Sequence, residues 1–237
     1  PKLKSHLYLQ GPPGVGKTEA VFKLGKALGI PIIKINLAEF SNIGKIKGIA
    51  GSFQDDDHGS IGVIVKSIIA HSKTGYQFKN AILFFDEADQ VLNRIHEGES
   101  HELVSFMLDL LEGKTQFIEN PYLETDLDIR HFGIILAGNN PLHNKALQSR
   151  LNTLIFGSYQ EAYRIKAGRE RFLPEILSDY SEVLTLKDFT EQDFEAIDNI
   201  ARAEHKKLID EKEDPGFRNQ IREIERFVHR KANSKSG

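Results

Sequence analysis

The chain has 237 residues, 40% of them hydrophobic and 27% charged, with a formal net charge of −3. That composition suits a globular protein of one large and one small domain. It excludes disulfides and thiolate metal sites, because cysteine is absent. It also gives no general attraction to nucleic acid, and no apolar run reaches the roughly 18 residues of a membrane-spanning helix. Position 1 is Pro rather than Met, and no basic-then-apolar leader follows. The expectation is a piece of a longer cytoplasmic protein, with neither a membrane nor a nucleic acid as partner.

In chain order, His6 to Leu9 is a short strand candidate. Gly11, Pro12, Pro13, Gly14, Val15, Gly16, Lys17 and Thr18 follow with the spacing Gly-x4-Gly-Lys-Thr of a phosphate-binding loop. Lys17 to Leu28 then reads as a helix with Ala20, Val21, Leu24, Ala27 and Leu28 on one stripe, closed by Gly29. Glycines let backbone amides close around phosphates, and the helix N-terminus adds partial positive charge. Lys17 reaches the β- and γ-phosphates of a nucleotide, and the Thr18 hydroxyl is a ligand for Mg²⁺.

Ser60 is expected to cap a helix over Ile61 to Ala70. Ala81 to Phe85 is a continuous apolar run, read as a strand buried on both faces, and it ends in Asp86-Glu87. Ligands of open α/β sheets sit beyond the carboxyl ends of the strands. There Asp86 orients Mg²⁺ and its waters, while Glu87 polarises an attacking water. Leu103, Phe106, Met107, Leu110 and Leu111 form a helical apolar stripe, expected to pack on the sheet. Phe132 to Ala137 is a second buried strand, ending at Gly138-Asn139-Asn140, where an amide side chain can meet a γ-phosphate or the lytic water. Arg150 closes a short helical stretch from Ala146. It reads either as a cation near a helix end or as an arginine finger for a neighbouring subunit. The histidines have no metal-ligand spacing, and nucleotide-bound Mg²⁺ is the only metal expected.

After Phe156 strand-like runs stop, and helical stretches are expected near Gln160 to Leu177, Thr190 to Ile209 and Phe217 to Lys231. Thr190 to Asp193 resembles a capped start, and Asp214-Pro215-Gly216 breaks the chain before the last helix. The charged mixture from Arg202 to Glu213 reads as an exposed helix face. The organisation expected is an α/β domain over 1–156 and an all-helical domain over 157–237, hinged at Gly157-Ser158.

These parts in this order resemble the AAA+ ATPases, and most closely the ATPase module of Lon proteases. The Lon-like stretches are Pro121 to Asp128, similar to the hairpin before sensor 1; Gly157 to Pro174, similar to the entry of the lid; and Gly216 to Arg226, similar to the sensor 2 helix. The resemblance implies a P-loop NTPase fold, a parallel sheet flanked by helices followed by a small helical lid. It implies ATP hydrolysis with ATP and Mg²⁺, assembly into a hexameric ring, and protein substrates. Gly11 to Thr18 takes the place of Walker A and Asp86-Glu87 that of Walker B. Asn139 stands at sensor 1, with Asn140 its rival. Arg150 stands at the finger that acts in the next subunit, and Arg218 at sensor 2, with Arg222 the alternative one turn on. Phe53 matches the aromatic paddle of pore loop 1. Here, however, it is followed by Gln54-Asp55-Asp56-Asp57 rather than a small apolar step, which reads as a solvated acidic loop. The chain reaches Gly237 without a protease segment, so no peptidase residue is expected within it.

Overall fold

The apolar runs of the first two thirds of the chain become a parallel sheet. The computed structural model describes residues 5–39, 43–50, 59–72, 80–94, 99–112, 117–211 and 216–236. Two compact units emerge: Pro1–Gly11 with Lys17–Ile155, and Pro12–Gly16 with Phe156–Gly237. In chain order the first unit carries β1 (His6–Gln10), α1 (Lys17–Leu28), β2 (Ile32–Asn36), α2 (Gly44–Lys47), α3 (Val63–Ser72), β3 (Ile82–Asp86), α4 (Ala88–Leu92) and α5 (Glu99–Leu111). It continues with β4 (Phe117–Asn120), β5 (Thr125–Asp128), β6 (Gly133–Gly138), α6 (Lys145–Gln148) and β7 (Leu151–Ile155).

Five strands form one sheet in the order β2-β3-β6-β1-β7, and every neighbouring pair is parallel. The chain runs outward from β1 to β2, returns through β3 and β6, then crosses β1 to reach β7. The central strands β3 and β6 are buried along nearly their whole length, while β2 and β7 form the edges. This explains why Ile82–Phe85 and Ile134–Ala137 are uninterrupted apolar runs: a central parallel strand has no face for a polar residue. Leu103, Phe106, Met107, Leu110 and Leu111 of α5 all lie in the core with Leu83, Phe85 and Leu136, as the stripe predicts.

Ser60 departs from expectation. It pairs with Ile49 in an antiparallel bridge, with N–H···O distances of 2.7 and 2.9 Å, and the helix begins later, at Val63. A third segment fixes this bridge. The buried Asn120 side chain donates to the Lys47 and Ile61 carbonyls at 2.7 and 2.8 Å and accepts from the Leu123 amide at 2.9 Å. Asn120 ends β4, whose antiparallel partner β5 completes a hairpin just ahead of β6.

The second unit contains α7 (Glu161–Ala167), a π-helical turn (Gly168–Phe172), α8 (Leu173–Ser178), α9 (Glu191–Glu211) and α10 (Arg218–Ser236). Its core gathers Phe172, Leu173, Ile197, Phe217, Ile224 and Val228. Thr190 and Asp193 cap α9 reciprocally, the Asp193 amide donating to Thr190 Oγ1 at 3.3 Å and the Thr190 amide to Asp193 Oδ2 at 2.7 Å. One side chain corrects the exposed-face reading of α9. Glu204 is buried, with Lys207 Nζ 2.7 Å from its Oε1. Arg164 is fully buried, and its guanidinium donates to the Gly216 carbonyl at 2.5 Å while lying over the Phe217 ring. Among the described residues no helix is long and apolar enough to cross a membrane.

Candidate active site

Parallel strands deliver their last residues to one edge of the sheet. The register pairs Asn36 with Asp86, Phe85 with Leu136, and Leu136 with Tyr8. Asp86 therefore sits level with the last residues of β6 and β1, at the edge where Gly11 begins the loop that leaves β1. That loop is tied back at once, the Gly11 amide donating to the Gly138 carbonyl at 3.2 Å. Gly14 and Gly16 take φ of 78° and 87°, a region glycine enters without penalty, so the loop can curl its amides inward. Within the second unit two loop carbonyls are fastened. Gly14 O accepts from the Phe217 amide at 3.2 Å, and Val15 O accepts from the Tyr159 hydroxyl at 2.6 Å.

Four of the expected polar side chains converge. Lys17 is buried and its Nζ donates to the Gly11 carbonyl at 2.5 Å and to Asn139 Oδ1 at 3.0 Å. Burial pulls its pKa down, and the nearby carboxylates Asp86 and Asp89 push the other way. Thr18 Oγ1 donates to Asp86 Oδ2 at 3.1 Å. The same Oδ2 accepts an ion pair from Lys34 Nζ at 2.8 Å, while Asp86 Oδ1 accepts the Glu87 amide at 3.1 Å. A hydroxyl and a carboxylate within one cation's reach are hard oxygen ligands of the kind Mg²⁺ takes.

Glu87 follows with φ 56°, in the left-handed region, at the N-cap of α4. A non-glycine residue held there marks a site where the fold overrides local preference. Its half-buried carboxylate makes no hydrogen bond or ion pair with a described residue. The two asparagines separate cleanly. Asn139 meets Lys17, whereas Asn140 donates from both its amide and its side chain to Asp89 Oδ2, at 2.9 and 3.0 Å.

The remaining residues stand elsewhere. Arg150 donates to the Ala146 carbonyl at 2.7 Å and forms an ion pair with Glu112. Arg218 and Arg222 are exposed on α10 and make no hydrogen bond or ion pair with a described residue. Phe53 and its acidic loop lie outside the described residues.

A family model described as "ATPase family associated with various cellular activities (AAA)" matches residues 7–159. The chain belongs to this family. It is an AAA ATPase with the P-loop fold, and its described sheet and helical region have that architecture. Among curated proteins it is similar to Lon proteases. It is 30% identical to that of Malacoplasma penetrans over 73% of this chain and 21% of the relative. It is 27% identical to that of Neorickettsia sennetsu over 68% and 18%, and 25% identical to that of Brucella melitensis over 83% and 22%. The match thus spans about a fifth of the length of these relatives.

Sequence reasoning on this AAA ATPase missed Lys34, Glu112, Tyr8 and the role of Asp89. Lys34 carried one signal, a charge inside an otherwise apolar strand. The others meet their partners across strands or between distant segments, and no local spacing marks them.

Proposed function

We propose that this chain is the Mg²⁺-dependent ATP-hydrolysing module of a ring that remodels or unfolds protein chains. Residues 1–156 bind nucleotide and 157–237 act as a lid. The observation that carries the catalytic part is the convergence of Lys17 on Asn139 and of Thr18 on Asp86 at one sheet edge. The backbone N–H groups of Gly14, Val15 and Gly16 hold the phosphates, and Lys17 neutralises the β- and γ-phosphates. Thr18 and Asp86 would hold Mg²⁺, which when bound would neutralise phosphate charge. Glu87, with no competing partner among the described residues, accepts a hydrogen bond from the attacking water and polarises it. Asn139 contacts the γ-phosphate or that water.

The remaining assignments rest on the Lon resemblance. Arg150 acts on the nucleotide of the next subunit, Arg218 contacts bound nucleotide from the lid, and Phe53 grips substrate. A hexameric ring and protein substrates follow from the same resemblance.

The test is steady-state ATP turnover per chain as chain concentration rises, with Mg²⁺ present, for the natural sequence and for Glu87→Gln. Specific activity is expected to rise with concentration, and Glu87→Gln to bind ATP while turning over at least 10²-fold more slowly. Turnover indifferent to both would leave an ATP-binding assembly switch instead.

A further inference from the structure

Three residues beyond Asp86, the same turn carries a second acid with a different environment. Asp89 is 3% exposed. Its Oδ2 accepts both the backbone amide and the side-chain amide of Asn140. Its Oδ1 is buried with no hydrogen-bond partner. The Asn140 carbonyl, in turn, accepts from the Tyr8 hydroxyl on β1. Residue 138 must be glycine for this arrangement to close: a Cβ there would lie 2.3 Å from the Tyr8 hydroxyl oxygen and 2.5 Å from Asp89 Oδ1. The Asn140 residue is thus held by its amide, its carbonyl and its side chain at once.

We propose that Asp89 is a positioning residue for hydrolysis: clamped on Asn140 with Tyr8, it locks the turn bearing Glu87 to the loop bearing Asn139, so that water and γ-phosphate are addressed by one rigid piece. The geometry leaves little alternative use for the group. Asp89 lies in the first turn of α4, whose N-cap is Glu87, and Asn140 directly follows Asn139. Holding one pair fixes the other. A buried carboxylate is costly unless its hydrogen bonds are worth more than its hydration. Here its bonds go to the residue beside the expected sensor rather than to the general core. Burial raises the pKa of Tyr8 and the Asp89 charge adds to it, whereas burial lowers the pKa of Lys17 and the Asp89 charge only opposes that.

The role is one of alignment, so its loss should appear in kcat and not in nucleotide affinity. A misplacement of about 1 Å at a reacting centre costs on the order of 10²-fold. Asp89→Ala and the milder Asp89→Asn are expected to lower kcat by about 10- to 100-fold, with ATP affinity within about twofold, since the phosphate loop is untouched. Asn140→Ala is expected to lower kcat less, and the double variant Asp89→Asn/Asn140→Ala to be no worse than Asp89→Asn alone. Equal losses in kcat and ATP affinity, or additive effects of the two substitutions, would overturn the proposal.

It rests on the assignment of Glu87 and Asn139, so a second measurement stands apart from turnover. Amide exchange of Asn139 and Asn140 should speed up in Asp89→Asn while Ile134 to Ala137 stay protected. Unchanged protection at those two amides would refute the clamp whatever the turnover shows. Should Asp89→Ala fail to fold, Tyr8→Phe removes one hydroxyl of the same clamp and is expected to shift exchange and kcat in the same direction, less far. No change in either would count against the proposal.

Discussion

Lys17 and Thr18 from the start of α1, Asp86 from the end of β3 and Asn139 from just beyond β6 arrive from three segments and already pair by hydrogen bonds, Lys17 with Asn139 and Thr18 with Asp86. Arg150 lies in the same unit, immediately before β7, yet its guanidinium is engaged by Glu112 and by the Ala146 carbonyl. The difference lies in how each group is held. Asp86 and Asn139 are placed by the register of neighbouring strands, which fixes groups at strand ends relative to one another, and Lys17 and Thr18 by the first turn of α1. Arg150 is placed by a flexible side chain and a partly exposed ion pair, worth little and easily exchanged. A floor built into one unit is expected to bind nucleotide in any state of assembly. An arginine held by an exchangeable pair waits for something better to bind.

The largest effect should come from breaking the exchangeable half. Arg150→Ala is expected to lower turnover by about 10³-fold, the low end of the finger range, with ATP affinity unchanged. Glu112→Ala, which removes the ion pair and leaves the bond to the Ala146 carbonyl, should leave turnover at or above that of the natural sequence. Turnover against chain concentration for both variants checks this. A drop in ATP affinity in Arg150→Ala would move the residue onto the floor and erase the contrast.

The next effect attacks the floor through its loop. Gly216 has φ 61°, and a Cβ on it would lie 2.1 Å from the Gly14 carbonyl carbon. Gly216→Ala therefore adds a left-handed alanine and an overpacked contact, together about 2–4 kcal/mol of destabilisation. The phosphate loop is where the clash falls. ATP affinity, followed with a fluorescent nucleotide, should fall before the fold does. A variant that loses Tm but binds ATP normally would show that the loop's shape does not depend on Gly216 and Phe217.

A smaller effect concerns the metal side of the floor. Lys34 Nζ, partly exposed, pairs with the Asp86 oxygen that also meets Thr18. A cation on that oxygen competes with Mg²⁺. Lys34→Met is expected to lower the Mg²⁺ concentration that half-saturates nucleotide binding by about two- to fivefold, the scale of an exposed ion pair. Titrating Mg²⁺ against bound fluorescent nucleotide reads it directly. A higher requirement would mean that Lys34 helps hold the phosphates instead.

The floor was legible in the sequence because its residues are tied to short-range signals. Gly-x4-Gly-Lys-Thr states its own loop, and Asp86 and Asn139 announce themselves as polar residues ending apolar runs. The clamp was not legible. Asp89 and Asn140 are 51 positions apart, and only the adjacency of β3 and β6 brings them together. The same limit hid Asn120, which pins Lys47 and Ile61 from another part of the chain. It also turned Ser60 from a plausible cap into half of a bridge: a cap is a local proposition, whereas the bridge needs Ile49. The helical part was read nearly whole, since amphipathic spacing and the Thr190–Asp193 box are local. The buried Glu204 escaped because charge density on a helix says nothing about which turn faces the core.

The smallest effect tests the contrast between placed and exchangeable groups at the surface of the helical unit. Asp188 accepts from Lys235 Nζ at 2.6 Å and from the Thr185 amide at 2.8 Å through its two oxygens. The Lys235 hydrogen bond first, then those from Thr185, hold its pKa down at about 2. An unfolded aspartate titrates near ~3.9. A carboxyl whose folded pKa is depressed contributes stability above the unfolded value, and that contribution drains away as pH falls from about 4 towards 2. Asp188→Asn should therefore have a slightly lower Tm than the natural sequence near neutrality, and the gap should close as pH falls through that window. The carboxyl is partly exposed, so added salt should narrow the gap at neutral pH as well. If instead the gap persists unchanged to pH 2, the bonds between Thr185 and Asp188 are held by their geometry rather than their charge, and Asp188 belongs with the placed groups.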